Sequence, residues 1–212
     1  MIIAAINLKG GCGKSTIAVN LACGLVGKRS AVLVDADSQG TATFYASKGL
    51  LPVVCESWPL ENESGVGGWV RRILALKSDF VVIDAPPHVG TVTQAIIGIA
   101  DLVLVPVTPS AADLMATTRA LDLIKEVRTM RKDKGPYCML VPSRVDSRTI
   151  AGRELTGALE GFGEPVGPTI HQRASFVDAL SSGQWIGDYA SGSDAGNDIA
   201  ALADAVRKVR IK

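Results

Sequence analysis

Five short stretches of the chain are almost continuously apolar: Ile2 to Asn7, Ala31 to Asp35, Phe80 to Asp84, Leu102 to Val107 and Tyr137 to Val141. A strand with one wet face alternates apolar and polar residues, whereas a strand covered on both faces does not, so these runs predict buried parallel strands. Between them, Ser15 to Val26, Gly67 to Leu76, Thr91 to Ala100 and Asp113 to Lys132 are long enough for crossover helices. In the last of these, Leu114, Leu121, Ile124 and Val127 fall near one face while Arg119, Asp122, Lys125 and Glu126 fall elsewhere, as in a helix lying on a sheet. From Pro142 the rhythm weakens, and helices are predicted at Thr149 to Leu159, Ala174 to Ser182 and Asp194 to Val209. Strand and helix alternate throughout, and right-handed crossovers then give an α/β fold: a doubly wound, mostly parallel, twisted sheet with helices on both faces. No repeat, low-complexity tract or linker interrupts the pattern, so a single domain spanning residues 1–212 is expected.

Composition narrows the picture little. Hydrophobic residues make up 47% and aromatic residues only 5%, which suits Ala-, Val-, Ile- and Leu-rich parallel strands better than an all-β sandwich. The net charge of +1 does not advertise a polyanionic partner for the whole molecule, although local clusters can. Cys12, Cys23, Cys55 and Cys138 show no CxxC spacing, which argues against a zinc site or a disulfide framework and fits reduced thiols in the cytoplasm. No run reaches the roughly 18 to 20 apolar residues of a membrane span, and no signal-peptide pattern opens the chain.

The first apolar run leads directly into LKGGCGKST. Glycines let the backbone turn with its N–H groups inward, and the following helix N-terminus places partial positive charge where phosphate oxygens would sit. Gly10, Gly11, Cys12, Gly13, Lys14, Ser15 and Thr16 are therefore candidate nucleotide ligands, with Lys14 reaching the outer phosphates and the Ser15 hydroxyl placed for Mg²⁺. The ordinary phosphate-loop pattern asks for glycine five residues before Gly13, where this chain has Leu8. KGGCGKST instead resembles the deviant phosphate loop of the ParA and MinD family of ATPases, in which an additional lysine precedes the glycine pair. VLVDADSQGTAT is similar to that family's DxDPQG segment, FVVIDAPP to its acidic DTPP stretch, and LVLVPVTPSAADL and PTIHQRASFVDALSSG to later segments, so the resemblance covers nearly the whole chain in order.

Three acids end or follow predicted parallel strands, where open α/β sheets bind ligands: Asp35, Asp37 and Asp84. The resemblance implies ATP and Mg²⁺ as cofactors, Asp35 and Asp84 beside the metal with Ser15, and Asp37 positioning the attacking water. Ser38 and Ala85 depart from the family's proline and threonine, which predicts a looser loop after Asp37 and altered switching. Ser143-Arg144-Val145-Asp146 lacks the amide and lysine of a guanine reader, favouring adenine, and positional resemblance puts the base near loops containing Ser143 and Pro168.

By the same resemblance Lys9 acts in catalysis across a two-fold axis, so that ATP holds a homodimer together and hydrolysis releases it. Residues 119–153 carry nine Lys or Arg against four Asp or Glu, and residues 201–212 four against one, clusters suited to non-specific DNA. The resemblance then implies a nucleoid-associated cytoplasmic ATPase that segregates or positions plasmid, chromosome or other cargo, with slow hydrolysis stimulated by a ParB-like or other cargo-adaptor protein. A MinD-like ATPase on membranes is the alternative, but ADAVRKVRIK lacks the bulky apolar face of an interfacial anchor, so no membrane partner is expected. An iron–sulfur carrier of the same fold and a scaffold that never turns its nucleotide over are further alternatives.

Overall fold

A computed structural model describes residues 1–60, 63–88 and 90–210. In chain order the elements are β1 (Ile2–Ala5), α1 (Lys14–Leu25), β2 (Ala31–Asp35), α2 (Thr41–Ala46), β3 (Val54–Ser57), α3 (Val66–Leu74), β4 (Phe80–Asp84), α4 (Thr91–Ile99), β5 (Leu102–Val107), α5 (Ala111–Met130), β6 (Tyr137–Val145), α6 (Ile150–Glu160), β7 (Ile170–His171), α7 (Ala174–Ser181), α8 (Ile186–Tyr189) and α9 (Asp194–Lys208). The strands form a seven-stranded sheet in the order β3-β2-β4-β1-β5-β6-β7, and every neighbouring pair is parallel.

The continuous apolar runs are explained by burial on both faces. Along β1, Ala4 faces one core and Ile3 and Ala5 the other; along β5, Val103, Val105 and Val107 face the first, and Leu102 and Leu104 the second. α3 to α6 cover the first face, while α1 and α7 to α9 cover the second. The last helix turns an apolar stripe inside the fold: Ile199, Leu202, Ala203 and Val206 are buried. Among the described residues no helix is long and apolar enough to cross a membrane.

Two strands go beyond those the apolar runs predict. β3 and β7 form the sheet's edges, where a strand needs a partner on one side only. β6 also runs four residues past its predicted end, because β7 pairs with its last turn at Ser143 and Val145 through an irregular register. That irregularity leaves Arg144 at φ +53°, a left-handed conformation uncommon outside glycine. Ser143 and Arg144 are thus strand residues and not loop residues, and they point their donors at the phosphate loop.

The basic stretch 119–153 is largely committed to the fold. Arg128 pairs with Glu164, and Arg131 caps the end of α4 through Gly98 and Ala100 while pairing with Asp133. Arg148 pairs with Asp146, and Arg153 donates to the carbonyls of Ser147 and Arg148. Arg119, Lys132 and Lys134 are exposed with no ion-pair partner among the described residues. In the basic tail, Arg207 pairs with Asp204, Lys208 and Arg210 are exposed, and Lys212 lies outside the described residues.

Candidate functional site

The C-terminal ends of β1, β2, β4 and β6 converge on a cleft of about 640 Å³. At its centre is the turn from β1 into α1. Gly11 and Gly13 adopt φ +78° and +96°, which an L side chain resists. At Gly13 a Cβ would also come within 2.7 Å of Ser143 Oγ, so glycine is required there twice over. Gly13→Ala is expected to weaken nucleotide binding more than ~10-fold and to destabilise the chain by about 1–3 kcal/mol, measured by titration and by thermal melting. β6 braces this turn from outside: Ser143 Oγ donates to the Cys12 carbonyl (2.8 Å) and Arg144 to the Gly11 carbonyl (2.8 Å).

The two lysines have different positions. Lys14 is buried at the start of α1 and lines the cleft, with Nζ donating to the Lys9 carbonyl at 3.0 Å. Lys9 does not line that cleft. It borders a second, shallower depression of about 440 Å³, where its Nζ lies 2.6 Å from Asp113 Oδ1 in the first turn of α5. The Lys9 side chain is 41% exposed and that of Asp113 2%, so a half-solvated cation covers a buried anion.

The three strand-end acids divide. Asp84 is fully buried on β4, and neither of its oxygens has a hydrogen-bond partner among the described residues. Burial pushes its carboxyl up to about 7; the nearby Ser15 hydroxyl and Lys14 draw it down, while Asp35 and Asp37 add to the rise. Asp37 lines the cleft, and its Oδ1 accepts from the Gln39 N–H at 3.0 Å. Asp35 departs from expectation: its Oδ2 accepts from both the N–H and hydroxyl of Thr43 (2.8 Å each), and its Oδ1 from the Asp37 N–H (3.2 Å). With its oxygens so engaged it anchors α2 and the Asp37 turn. Where Ser38 replaces proline, the turn is held by hydrogen bonds to Asp37: its Oδ1 accepts from Gln39, and its carbonyl accepts from the Gly40 N–H at 3.0 Å.

A bound Mg²⁺ fits what is present. Asp84 is an orphaned buried anion beside the Ser15 hydroxyl, and a hard cation takes oxygen ligands of this kind. No group of three or more His, Cys, Asp or Glu among the described residues could hold a metal by itself, so phosphate and water oxygens would complete the shell.

On the opposite side of the phosphate loop, the cleft is walled by Ser143, Arg144 and residues 170–177. Gly10, Ser15 and Thr16 also line it, whereas Cys12 is buried and outside the lining, its thiol donating to the Lys9 carbonyl. Pro168 is likewise outside the lining; the wall expected from it is built by the segment that follows. Residues 3–186 match the CobQ/CobB/MinD/ParA nucleotide binding domain. The chain belongs to this family.

The ParA-type assignment is supported by relatives. The chain is 31% identical over 183 residues to maintenance of carboxysome distribution protein A of Halothiobacillus neapolitanus, covering 85% of this chain and 84% of that protein. It is 29% identical over 236 residues to the chromosome-partitioning ATPase Soj of Thermus thermophilus, covering 96% and 94%. The fold matches the septum site-determining protein MinD of Pyrococcus horikoshii, complexed with Mg-ADP, at a TM-score of 0.80 and 17% identity over 98% of this chain and 96% of that one.

Sequence reasoning missed two pairs in this ParA/MinD-family site. One is Lys9 with Asp113. The other is His171 with Asp198: the His171 N–H donates to Asp198 Oδ2 at 3.0 Å, and the ring Nδ1 lies 3.1 Å from the same oxygen. Desolvation raises the thiol pKa of all four cysteines.

Proposed function

We propose that this chain is one ATPase domain, spanning residues 1–212, that forms an ATP-sandwich homodimer and positions or segregates a cargo on DNA. The observation that carries the reading is the placement of Lys9: a second cation of the phosphate loop that lies outside the lining of its own cleft, contacts Asp113 and is half exposed. A cation there is of little use to the nucleotide of its own subunit and is well placed for one bound to a second copy. Lys14 and the loop N–H groups hold the phosphates, Ser15 and Asp84 hold Mg²⁺, and Asp37 orients the water for hydrolysis of ATP to ADP and phosphate. Asp35 supports this group from behind. The metal supplies charge neutralisation at the β- and γ-phosphates.

Carboxysome distribution and chromosome partitioning, named for the two relatives, are both positioning tasks and support a cargo role; a partner protein of ParB-like or other adaptor type would regulate it. DNA binding without sequence preference rests on exposed cations that have no ion-pair partner among the described residues, Arg119, Lys132, Lys134, Lys208 and Arg210. Both Lys132 and Lys134 follow the C-terminal end of α5, away from the nucleotide cleft, so a nucleotide-bridged dimer would leave them accessible. Mobility shifts with ATP, ADP and no nucleotide at two salt concentrations test this. Retardation with ATP alone, weakened by salt and lost when Lys132 and Lys134 become Glu, is expected. Retardation indifferent to nucleotide would defeat the proposal.

A further inference from the structure

The wall of the cleft opposite the acids carries a side chain pair with no role in phosphate or metal binding. His171 ends β7 and lines the cleft. Asp198, on α9 behind it, is only 12% exposed and engages three donors: the His171 N–H, the His171 ring at Nδ1, and Arg173 Nε at 3.5 Å. A carboxylate can only accept, so Nδ1 carries the proton. Arg173 already supplies a positive charge to this carboxylate, so the ring need not be charged to satisfy it. In the neutral ring Nε2 is then a fixed acceptor on the edge not occupied by Asp198.

The sheet order says which part of a nucleotide meets that edge. The acids Asp37 and Asp84 come from β2 and β4 on one side of β1, and they mark the metal and outer phosphates. β6 and β7 are on the other side, so a nucleotide whose phosphates occupy the loop extends its nucleoside toward them. We propose that His171 selects the base: its Nε2 accepts from the exocyclic 6-amino group of adenine and rejects a 6-oxo purine, whose acceptor would face a second acceptor. Asp198 is the positioning residue that fixes the tautomer. This inference rests on the ATP-site reading above.

The test compares affinities for ATP and ITP, which differ at the 6-position, by calorimetry with Mg²⁺. Wild type should prefer ATP by about tenfold. His171→Phe, which keeps a flat ring without Nε2, should bring the ratio close to one. Asp198→Asn gives a sharper readout. Its amide oxygen can keep the His171 N–H while its NH₂ faces Nδ1, which moves the ring proton to Nε2 and should shift preference toward ITP. A purely structural role for the pair would lower both affinities together and leave the ratio unchanged, overturning the proposal. A His171→Phe deficit that vanishes with 2′-deoxyATP would assign the ring to the ribose and also overturn it. Lys14→Ala separates the two layers: loss of both nucleotides with a ratio indifferent to His171 sinks the base assignment alone, whereas undiminished binding by Lys14→Ala sinks the ATP-site reading under it.

Discussion

Lys9→Ala is expected to bind ATP within about tenfold of the wild-type affinity and yet to form no ATP-dependent dimer, with turnover falling ~100-fold or more. The direction follows from geometry. Lys9 is outside the cleft, so its removal takes no ligand from the nucleotide of its own subunit. To reach a neighbour's phosphates it must leave Asp113, whose side chain is 2% exposed and would be stranded as a buried anion. Stranding such a group costs about 1–3 kcal/mol, reduced here because the cation itself is half in water. The Lys9–Asp113 contact therefore opposes dimerisation until a triphosphate offers a stronger partner.

Two further variants isolate this cost. Asp113→Asn should dimerise at several-fold lower ATP concentration, since nothing holds Lys9 back. Lys9→Ala alone should melt at a lower temperature, and Lys9→Ala combined with Asp113→Asn should recover stability without recovering the dimer. Light scattering that finds an intact ATP dimer of Lys9→Ala would remove the basis of the switch. Weaker dimerisation by Asp113→Asn would mean that Asp113 serves the interface itself.

What the sequence discloses about this fold depends on burial. β1, β2, β4 and β5 are read directly because both faces are covered and their residues say so. Val54–Ser57 and Ile170–His171 are not, because an edge strand gains its structure from the neighbour it pairs with, and a run as short and polar as VCES carries no signal of its own. The phosphate loop is legible for a different reason: glycine, lysine and serine at fixed offsets report a backbone conformation, and Gly11 and Gly13 do adopt left-handed φ. Long-range pairs are the hidden part. Nothing local to Lys9 points to Asp113, and nothing local to His171 points to Asp198. The charge count over residues 119–153 shows the limit most clearly, since Arg128 and Arg131 are bound to Glu164 and to helix carbonyls that no count of nearby acids would include. The hydrogen bonds from Thr43 to Asp35 are likewise invisible in the sequence pattern that singles Asp35 out.

Asp84→Asn is expected to stabilise the nucleotide-free protein while removing Mg²⁺-dependent hydrolysis. Asp84 is fully buried with two unpartnered oxygens, and burial holds its carboxyl at about 7 against an ordinary 3.8. An acid with a raised folded pKa keeps its proton in the native state when the unfolded chain has lost it. Between pH 4 and 7 the native state therefore binds more protons, and stability falls as pH rises through that window before levelling off. Above pH 7 the ionised group costs on the order of 1–4 kcal/mol, which asparagine avoids apart from burying its own amide. The difference in melting temperature between variant and wild type should accordingly be small near pH 4.5 and largest near pH 8. Mg²⁺ with ATP reverses the ranking, because a divalent cation beside Asp84 converts an expensive anion into a ligand. Wild type should then gain more from Mg-ATP than the variant does, and hydrolysis by the variant should fall ~100-fold or more. A variant that hydrolyses ATP at the wild-type rate would show that Asp84 does not serve the metal, and one whose advantage in the melt is the same at pH 4.5 and pH 8 would show that its buried charge does not bear this strain.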